Sequence, residues 1–125
     1  MNSNHRCARL MCVLALFAIA TGAHAQAYPN RPIRLVVADA AGGAPDQLAR
    51  LVAQKVSETL GQQVIVDNRP GAGGALGADL VAKSPPDGYT LLLTTTAIYA
   101  ILPNLRKDLP YDPLRDFMPV GRMSR

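Results

Sequence analysis

The sequence predicts an α/β fold, a parallel sheet with flanking helices. Three features of residues 33–94 predict it: apolar runs of strand length, small-residue loops after the first two of them, and helical periodicity after each of those loops. Strands and helices alternating at this spacing join parallel neighbours through right-handed crossovers.

Ile33 to Val37 is an apolar segment rich in branched side chains and reads as a strand buried on both faces. Ala38-Asp39-Ala40-Ala41-Gly42-Gly43 follows as a small-residue loop, and Pro45 suits the first turn of a helix, where its missing N–H costs nothing. Leu48, Leu51, Val52, Val56 and Leu60 then recur at helical spacing, and Gly61 is placed to stop the helix. Val64-Ile65-Val66 is the second strand, Arg69-Pro70-Gly71-Ala72-Gly73-Gly74 the second loop, and Ala75 to Lys83 a short helix ended by Pro85 and Pro86. Asp87-Gly88 turns the chain into a third strand, Tyr89 to Thr94, followed by Thr95-Thr96 and a helical turn near Ile98 to Leu102. Pro103, Pro110 and Pro113 make residues 103–118 a connecting loop. Phe117 to Val120 is placed to begin a fourth strand, and the end at Arg125 supplies neither cap nor turn, which reads as a stop in mid-architecture.

The N-terminus reads as an export signal. Arg6 and Arg9 form a basic start, Met11 to Ala20 is an almost unbroken apolar run, and Ala23-His24-Ala25 supplies a small-x-small cleavage pattern. The expected division is therefore a signal peptide at 1–25 and one partial domain at 26–125, with cleavage before Gln26. The run is shorter than the about 20 residues of a spanning helix, so no membrane insertion is expected after cleavage. Lipid anchoring at Cys12 is disfavoured, because that cysteine opens the apolar run instead of following it.

Removing the leader changes the chemistry that remains. Cys7, Cys12, His5 and His24 all leave with it, so disulfides, thiolate chemistry and histidine bases or ligands are excluded from 26–125. Loss of Arg6 and Arg9 lowers the 13 basic residues to 11 against 9 acidic, a net charge of +2 in place of +4. Without a basic run or interleaved aromatics, nucleic acid is not an expected partner. With no nucleophile paired to a base and no metal cluster, neither is an enzyme, and no cofactor is expected. The stretch Gly71-Ala72-Gly73-Gly74-Ala75-Leu76-Gly77 fails the dinucleotide fingerprint at Leu76 and lacks the lysine of a phosphate loop.

In an open parallel sheet, ligands gather beyond the carboxyl ends of the strands, so the loops after Val37, Asn68 and Leu93 should share one rim. Two of them are glycine-rich and lead into helices, whose first N–H groups are unpaired and carry partial positive charge. Two such ends facing one crevice would hold an anion without a cationic side chain. Hydroxyls of Thr94 to Thr96 on the third loop would add donors for an oxygen-rich ligand. Plainer roles compete: glycines for tight packing, threonines ending a buried strand, Asp46 as a partner for the helix dipole, Arg69 as a solvated charge instead of an anion contact.

Several longer motifs add a resemblance. Tyr28-Pro29-Asn30-Arg31-Pro32-Ile33-Arg34-Leu35-Val36-Val37, Gly42-Gly43 with Asp46, Leu60-Gly61-Gln62, Asp67-Asn68-Arg69-Pro70-Gly71-Ala72-Gly73-Gly74 and Pro86-Asp87-Gly88-Tyr89-Thr90-Leu91-Leu92 occur in this order. So do Leu109-Pro110-Tyr111-Asp112-Pro113 and Asp116-Phe117 with Pro119-Val120. Together they closely resemble the substrate-binding proteins of tripartite tricarboxylate transporters, the Bug family. The resemblance implies the N-terminal part of a two-lobed, type II-like periplasmic binding protein that closes on a small carboxylate: a di- or tricarboxylate, an aromatic acid or an amino acid. It implies that backbone groups of the first two loops hold the ligand carboxylate, with Ala41, Gly42, Gly43 and Asp46 on the first loop and helix start, Gly71, Ala72, Gly73 and Gly74 on the second, and Thr94 and Thr95 on the third, and that separate membrane transporter subunits carry out uptake. A monomer is expected. A ligand-sensing partner of a membrane sensor, or a non-functional truncated gene product, are the alternative readings.

Two departures from the family stand out. The family's usual Pro-Phe-Pro-Pro is replaced by Ala38-Asp39-Ala40-Ala41, which removes an aromatic wall and brings a negative charge to the rim. Asp39 either faces solvent or pairs with an amino group of a zwitterionic ligand. The second departure is length: the second lobe and its hinge are missing from 26–125, so hinge closure is not expected of this segment, which should be unstable or bind weakly.

Overall fold

The computed structural model describes residues 27–123. The expected signal peptide and the cysteines within it lie outside the described residues. Three parallel strands form one sheet in the order β2-β1-β3: β1 (Ile33–Val37), β2 (Val64–Asn68) and β3 (Thr90–Leu93). Helix α1 (Ala44–Leu60) joins β1 to β2, and α2 (Ala75–Ala82) joins β2 to β3. A π-helical turn (Ala97–Ile101) running into α3 (Leu102–Leu105) follows β3. The α/β architecture expected from the sequence is therefore the one observed.

Strand β1 is central because it is apolar on both sides. Ile33, Val36 and Val37 are almost wholly buried, each contributing about 1.5–3 kcal/mol relative to exposure. Alternation sends Leu35 and Val37 toward α1, where they meet Ala49, Ala53 and Leu93. On the opposite face Ala38 meets Ala75 and Ala78 of α2, together with Ile98 and Tyr111. The two helices thus cover opposite faces, the arrangement that follows when the chain leaves β1 in one direction and then crosses back over it to β3.

Three expectations are corrected here. Leu51 and Leu60 are exposed, and α1 packs through Ala49 and Ala53, which let the helix lie close to the sheet. Strand β2 runs two residues beyond Val66, because Asp67 and Asn68 pair with Val36 and Val37 and find side-chain partners of their own. No fourth strand forms at 117–120 among the described residues. The preceding segment is more than a connection: Tyr111 is buried, donates its hydroxyl to the Ile98 carbonyl at 3.1 Å and meets Phe117 edge to face at 5.8 Å. Burial pushes its phenol pKa up.

Local chemistry ends the elements as anticipated. Gly61 adopts φ +66 and donates to the Ser57 carbonyl at 3.0 Å, and the Ser57 hydroxyl accepts the Val64 N–H at 2.9 Å, tying the helix end to the start of β2. At the sheet's amino edge, Tyr28 donates to the Gly88 carbonyl, Arg31 pairs with Asp87 at 2.8 Å, and that guanidinium lies 4.2 Å from the Tyr89 ring centre. These contacts are solvent-facing and contribute less than the buried strand.

Candidate functional site

Register decides which loops can act together. Val37 lies opposite Asn68 on one side and Leu93 on the other, so the chain leaves all three strands at the same carboxyl edge. The Arg69 N–H donates to the Val37 carbonyl at 2.8 Å, which fastens the start of the second loop to the start of the first. The second turn also presses on Ala38. A Cβ built on Gly74 would collide with Ile98 and lie 3.3 Å from the Ala38 carbonyl oxygen, and one on Gly77 would lie 3.1 Å from the Ala38 Cα. Only a residue without a Cβ permits that approach.

The first loop is largely closed on itself. Gly43 precedes α1 with extended backbone, and its carbonyl accepts the Gln47 N–H at 3.0 Å. The Gly42 N–H donates to Asp46 Oδ2 at 2.8 Å, and the Gly42 carbonyl accepts Gln47 Nε2 at 3.2 Å. Asp46 is 3% exposed and also accepts Arg50 Nε at 3.1 Å. Arg50 first, then the Gly42 amide, lower its carboxyl pKa to about 2, overcoming the opposing effect of burial. Asp46 is thus an internal anion at the start of the helix, a clamp on the loop. The Gly43 N–H reaches the Ala40 carbonyl only at 3.4 Å, and no backbone carbonyl among the described residues takes the Ala41 N–H.

The second loop is more open. Its Gly74 N–H donates to the Gly71 carbonyl at 2.9 Å, closing a turn in which Gly71, Ala72, Gly73 and Gly74 all have positive φ. With Ala72 at φ +50 and Gly73 at φ +68, the two central residues are left-handed, as in a type I′ turn. The Ala75 N–H goes to the Ala72 carbonyl. No protein acceptor among the described residues takes the N–H groups of Gly71, Ala72 or Gly73, and Ala72 and Gly73 are exposed.

On the third loop Thr94 and Thr95 are half-buried. The Thr95 carbonyl accepts the N–H groups of Ile98 and Tyr99 at 3.1 and 3.2 Å, so this residue starts the π-helical turn. Thr94 Oγ1 reaches the Thr95 carbonyl only at 3.4 Å.

The guanidinium groups near this edge are committed to the chain's own acids. Arg50 serves Asp46 and reaches Asn68 Oδ1 at 3.3 Å, and Arg69 binds Asp67 at 3.0 Å beside Arg34. Burial raises the Asp67 pKa, but the two guanidiniums outweigh it and leave the carboxyl below its usual range. Donors left at the edge are mainly backbone amides.

The ten residues singled out in the sequence thus fall on one edge, in unequal states. The Gly42 amide is taken by Asp46 Oδ2, Gly74 is buried as a packing and turn residue, and the amides of Ala41, Gly71, Ala72 and Gly73 remain open. Sequence reasoning missed Asn68, whose Nδ2 donates to the Asp39 carbonyl at 3.2 Å and bridges the first two loops. A polar residue at the last position of a strand beside a loop was the available signal. An open concavity of about 660 Å³ lies elsewhere, against the 103–116 segment, and includes none of the ten. Among the described residues no group of three or more His, Cys, Asp or Glu is gathered to hold a metal ion, and no helix is long and apolar enough to cross a membrane.

Comparison with known proteins agrees with this architecture. A UPF0065 protein of Bordetella bronchiseptica is 52% identical over 79% of this chain and 30% of its own length. The solved periplasmic binding protein BugD superposes with a TM-score of 0.72 at 44% identity, over 75% of this chain and 31% of its own. MatC from Rhodopseudomonas palustris, solved with bound malate, gives a TM-score of 0.71 at 40% identity, over 74% of this chain and 32% of its own. The chain therefore spans about a third of the length of these relatives. Residues 48–125 match the family model described as tripartite tricarboxylate transporter family receptor, and with this identity and this fold the chain belongs to that family.

Proposed function

We propose that this chain forms the carboxylate-receiving part of a periplasmic solute receptor, holding a small carboxylic acid for delivery to membrane transporter subunits. One observation carries the proposal: parallel pairing of Val37 with Asn68 brings two glycine turns to one edge, with the amides of Gly71, Ala72 and Gly73 unclaimed. Such N–H groups donate to negative oxygen without requiring a lysine or arginine. Ala41 on the first loop, and the hydroxyls of Thr94 and Thr95 on the third, complete a donor set facing an oxygen-rich ligand. Malate bound to the related MatC supports a small acid as the ligand class. Capture and release need no bond-making chemistry, in keeping with a family of receptors instead of enzymes. Export through cleavage before Gln26 and action as a monomer belong to the same proposal.

Nitrogen-15 NMR titration of the chain with malate, citrate and benzoate tests the site. Binding of at least one acid should shift the amides of 41–43, 71–74 and 94–95 first. Shifts confined to the 103–116 concavity, or none with any acid, would overturn the assignment.

A further inference from the structure

We infer that Ile98 is a positioning residue for the open second turn and that Tyr111 holds Ile98 in place, so that a segment outside the site sets how firmly the site takes an acid. The inference rests on the receptor reading above and concerns affinity, not ligand identity.

Ile98 is 2% exposed, and each of its parts is tied to a different stretch of chain. Its N–H donates to the Thr95 carbonyl at 3.1 Å, which roots it in the third loop. Its carbonyl accepts the Tyr111 hydroxyl at 3.1 Å. Its side chain lies over the second turn: a Cβ built on Gly74 would stand 2.6 Å from Ile98 Cγ1 and nearer still to Cδ1. Tyr111 is buried in one cluster with Ile98, Ala38 and Ala75, and Phe117 meets its ring edge to face. A continuous path of packed groups therefore runs from Phe117 through Tyr111 and Ile98 to Gly74.

The turn has little else to hold its shape. Gly71, Ala72, Gly73 and Gly74 all have positive φ, and Ala72 and Gly73 are exposed. Glycine has more backbone freedom to lose than any other residue, so a glycine turn that presents amides must lose that freedom on binding unless it is already held. Gly74 is the one buried member of the four, and it is the one Ile98 covers. Leu102, farther along the same helical stretch, brings its Cδ1 to 3.9 Å from where a Gly73 Cβ would stand. Close packing passes a lost methyl on to its neighbours instead of absorbing it. By linkage, a bound acid must in turn firm the contact between Ile98 and Tyr111.

Three single-group deletions test this on the full chain. Ile98→Val removes Cδ1 alone, and Tyr111→Phe removes the hydroxyl while keeping the ring. Ile33→Val is the control, the same deletion at an equally buried residue at the opposite end of β1. NMR titration with malate, citrate and benzoate gives dissociation constants, thermal melts rank stability, and nitrogen-15 relaxation of the ligand-free chain reads amide order at 71–74. Ile98→Val and Tyr111→Phe should weaken the best-bound acid by about three- to tenfold and lower the order at 71–74. Ile33→Val should melt as early as Ile98→Val yet bind as wild type does. In wild type the acid should also shift the resonances of 98 and 111, and those shifts should shrink in Ile98→Val. Unchanged affinity in Ile98→Val, or equal weakening in Ile33→Val, would overturn the inference while leaving the carboxylate receptor in place. Failure of every acid to bind the wild type would overturn both.

Discussion

Asp46 Oδ2 accepts the Gly42 N–H at 2.8 Å, so the helix that begins at Ala44 brings its own anion to the paired glycines that precede it. Its carboxyl is held at about 2 against an ordinary 3.8, chiefly by Arg50 and then by Gly42. Because the folded-state pKa is depressed, the stability it contributes is fully present above about pH 4 and is lost as pH falls toward 2. Asp46→Asn keeps the size and removes the charge. It should lower the melting temperature at pH 7 by a few degrees and flatten the acid limb between pH 4 and 2, as read by circular dichroism melts across pH. An acid limb of unchanged slope would show that Asp46 does not set it.

Ala72 is the one non-glycine residue with positive φ among the described residues, at +50, inside a turn otherwise made of glycines. An L-residue in the left-handed region pays roughly 1–2 kcal/mol relative to glycine, partly offset by the greater freedom that glycine loses on folding. Ala72→Gly should therefore stabilise the fold by about 0.5–1 kcal/mol, measured as a raised urea midpoint at constant slope. Gly74→Ala should do the reverse by about 1–3 kcal/mol, because φ there is +92 and the added methyl meets Ile98.

The strands, the first helix and the common edge were legible in the sequence because each rests on a local signal: branched apolar runs, an uninterrupted helical period, glycine after the helix. The contacting face of α1 was not. Leucines dominate its periodicity, yet Leu51 is 60% exposed while Ala49 and Ala53 are 0% and 4% exposed. Periodicity counts apolar residues without weighing how near the backbone must come to the sheet, and that distance selects alanine. Open and occupied amides were equally hidden, since Gly42 and Gly73 look alike as letters and differ only in whether Asp46 folds back. Two substitutions check the corrected face in one denaturant series. Leu51→Gln should change stability by less than about 0.5 kcal/mol, whereas Ala53→Leu should cost about 1–3 kcal/mol by overpacking.

Asn68 joins the first loop to the second strand through the main chain. Its amide donates to the Asp39 carbonyl and its oxygen lies 3.3 Å from Arg50, which in turn holds Asp46. Removing it unties the first loop from the second. Asn68→Ala should cost about 1 kcal/mol of stability and weaken the best-bound acid several-fold, with the largest chemical-shift changes at 39–43 instead of 71–74. Changes of equal size in both loops would mean that the loops are joined by other contacts.

The segment from 105 to 120 sets apolar side chains in solvent in a way the sheet does not: Leu105, Leu114, Met118 and Val120 are 75–88% exposed. Tyr111 and Phe117 between them are buried or half-buried against Ile98, so the segment is anchored while its other side chains point outward. Exposed apolar groups add little to folding stability but promote association when they are contiguous. A Leu114→Ser, Met118→Gln double variant should leave the melting temperature within about 2 °C and should reduce the binding of a hydrophobic dye. Tyr111→Ala provides the contrast, since it removes a buried ring and its hydrogen bond to Ile98; it should cost about 3–5 kcal/mol and shift the resonances of 97–102. If the double variant proved as destabilising as Tyr111→Ala, the outward-facing side chains would have to be packed in solution.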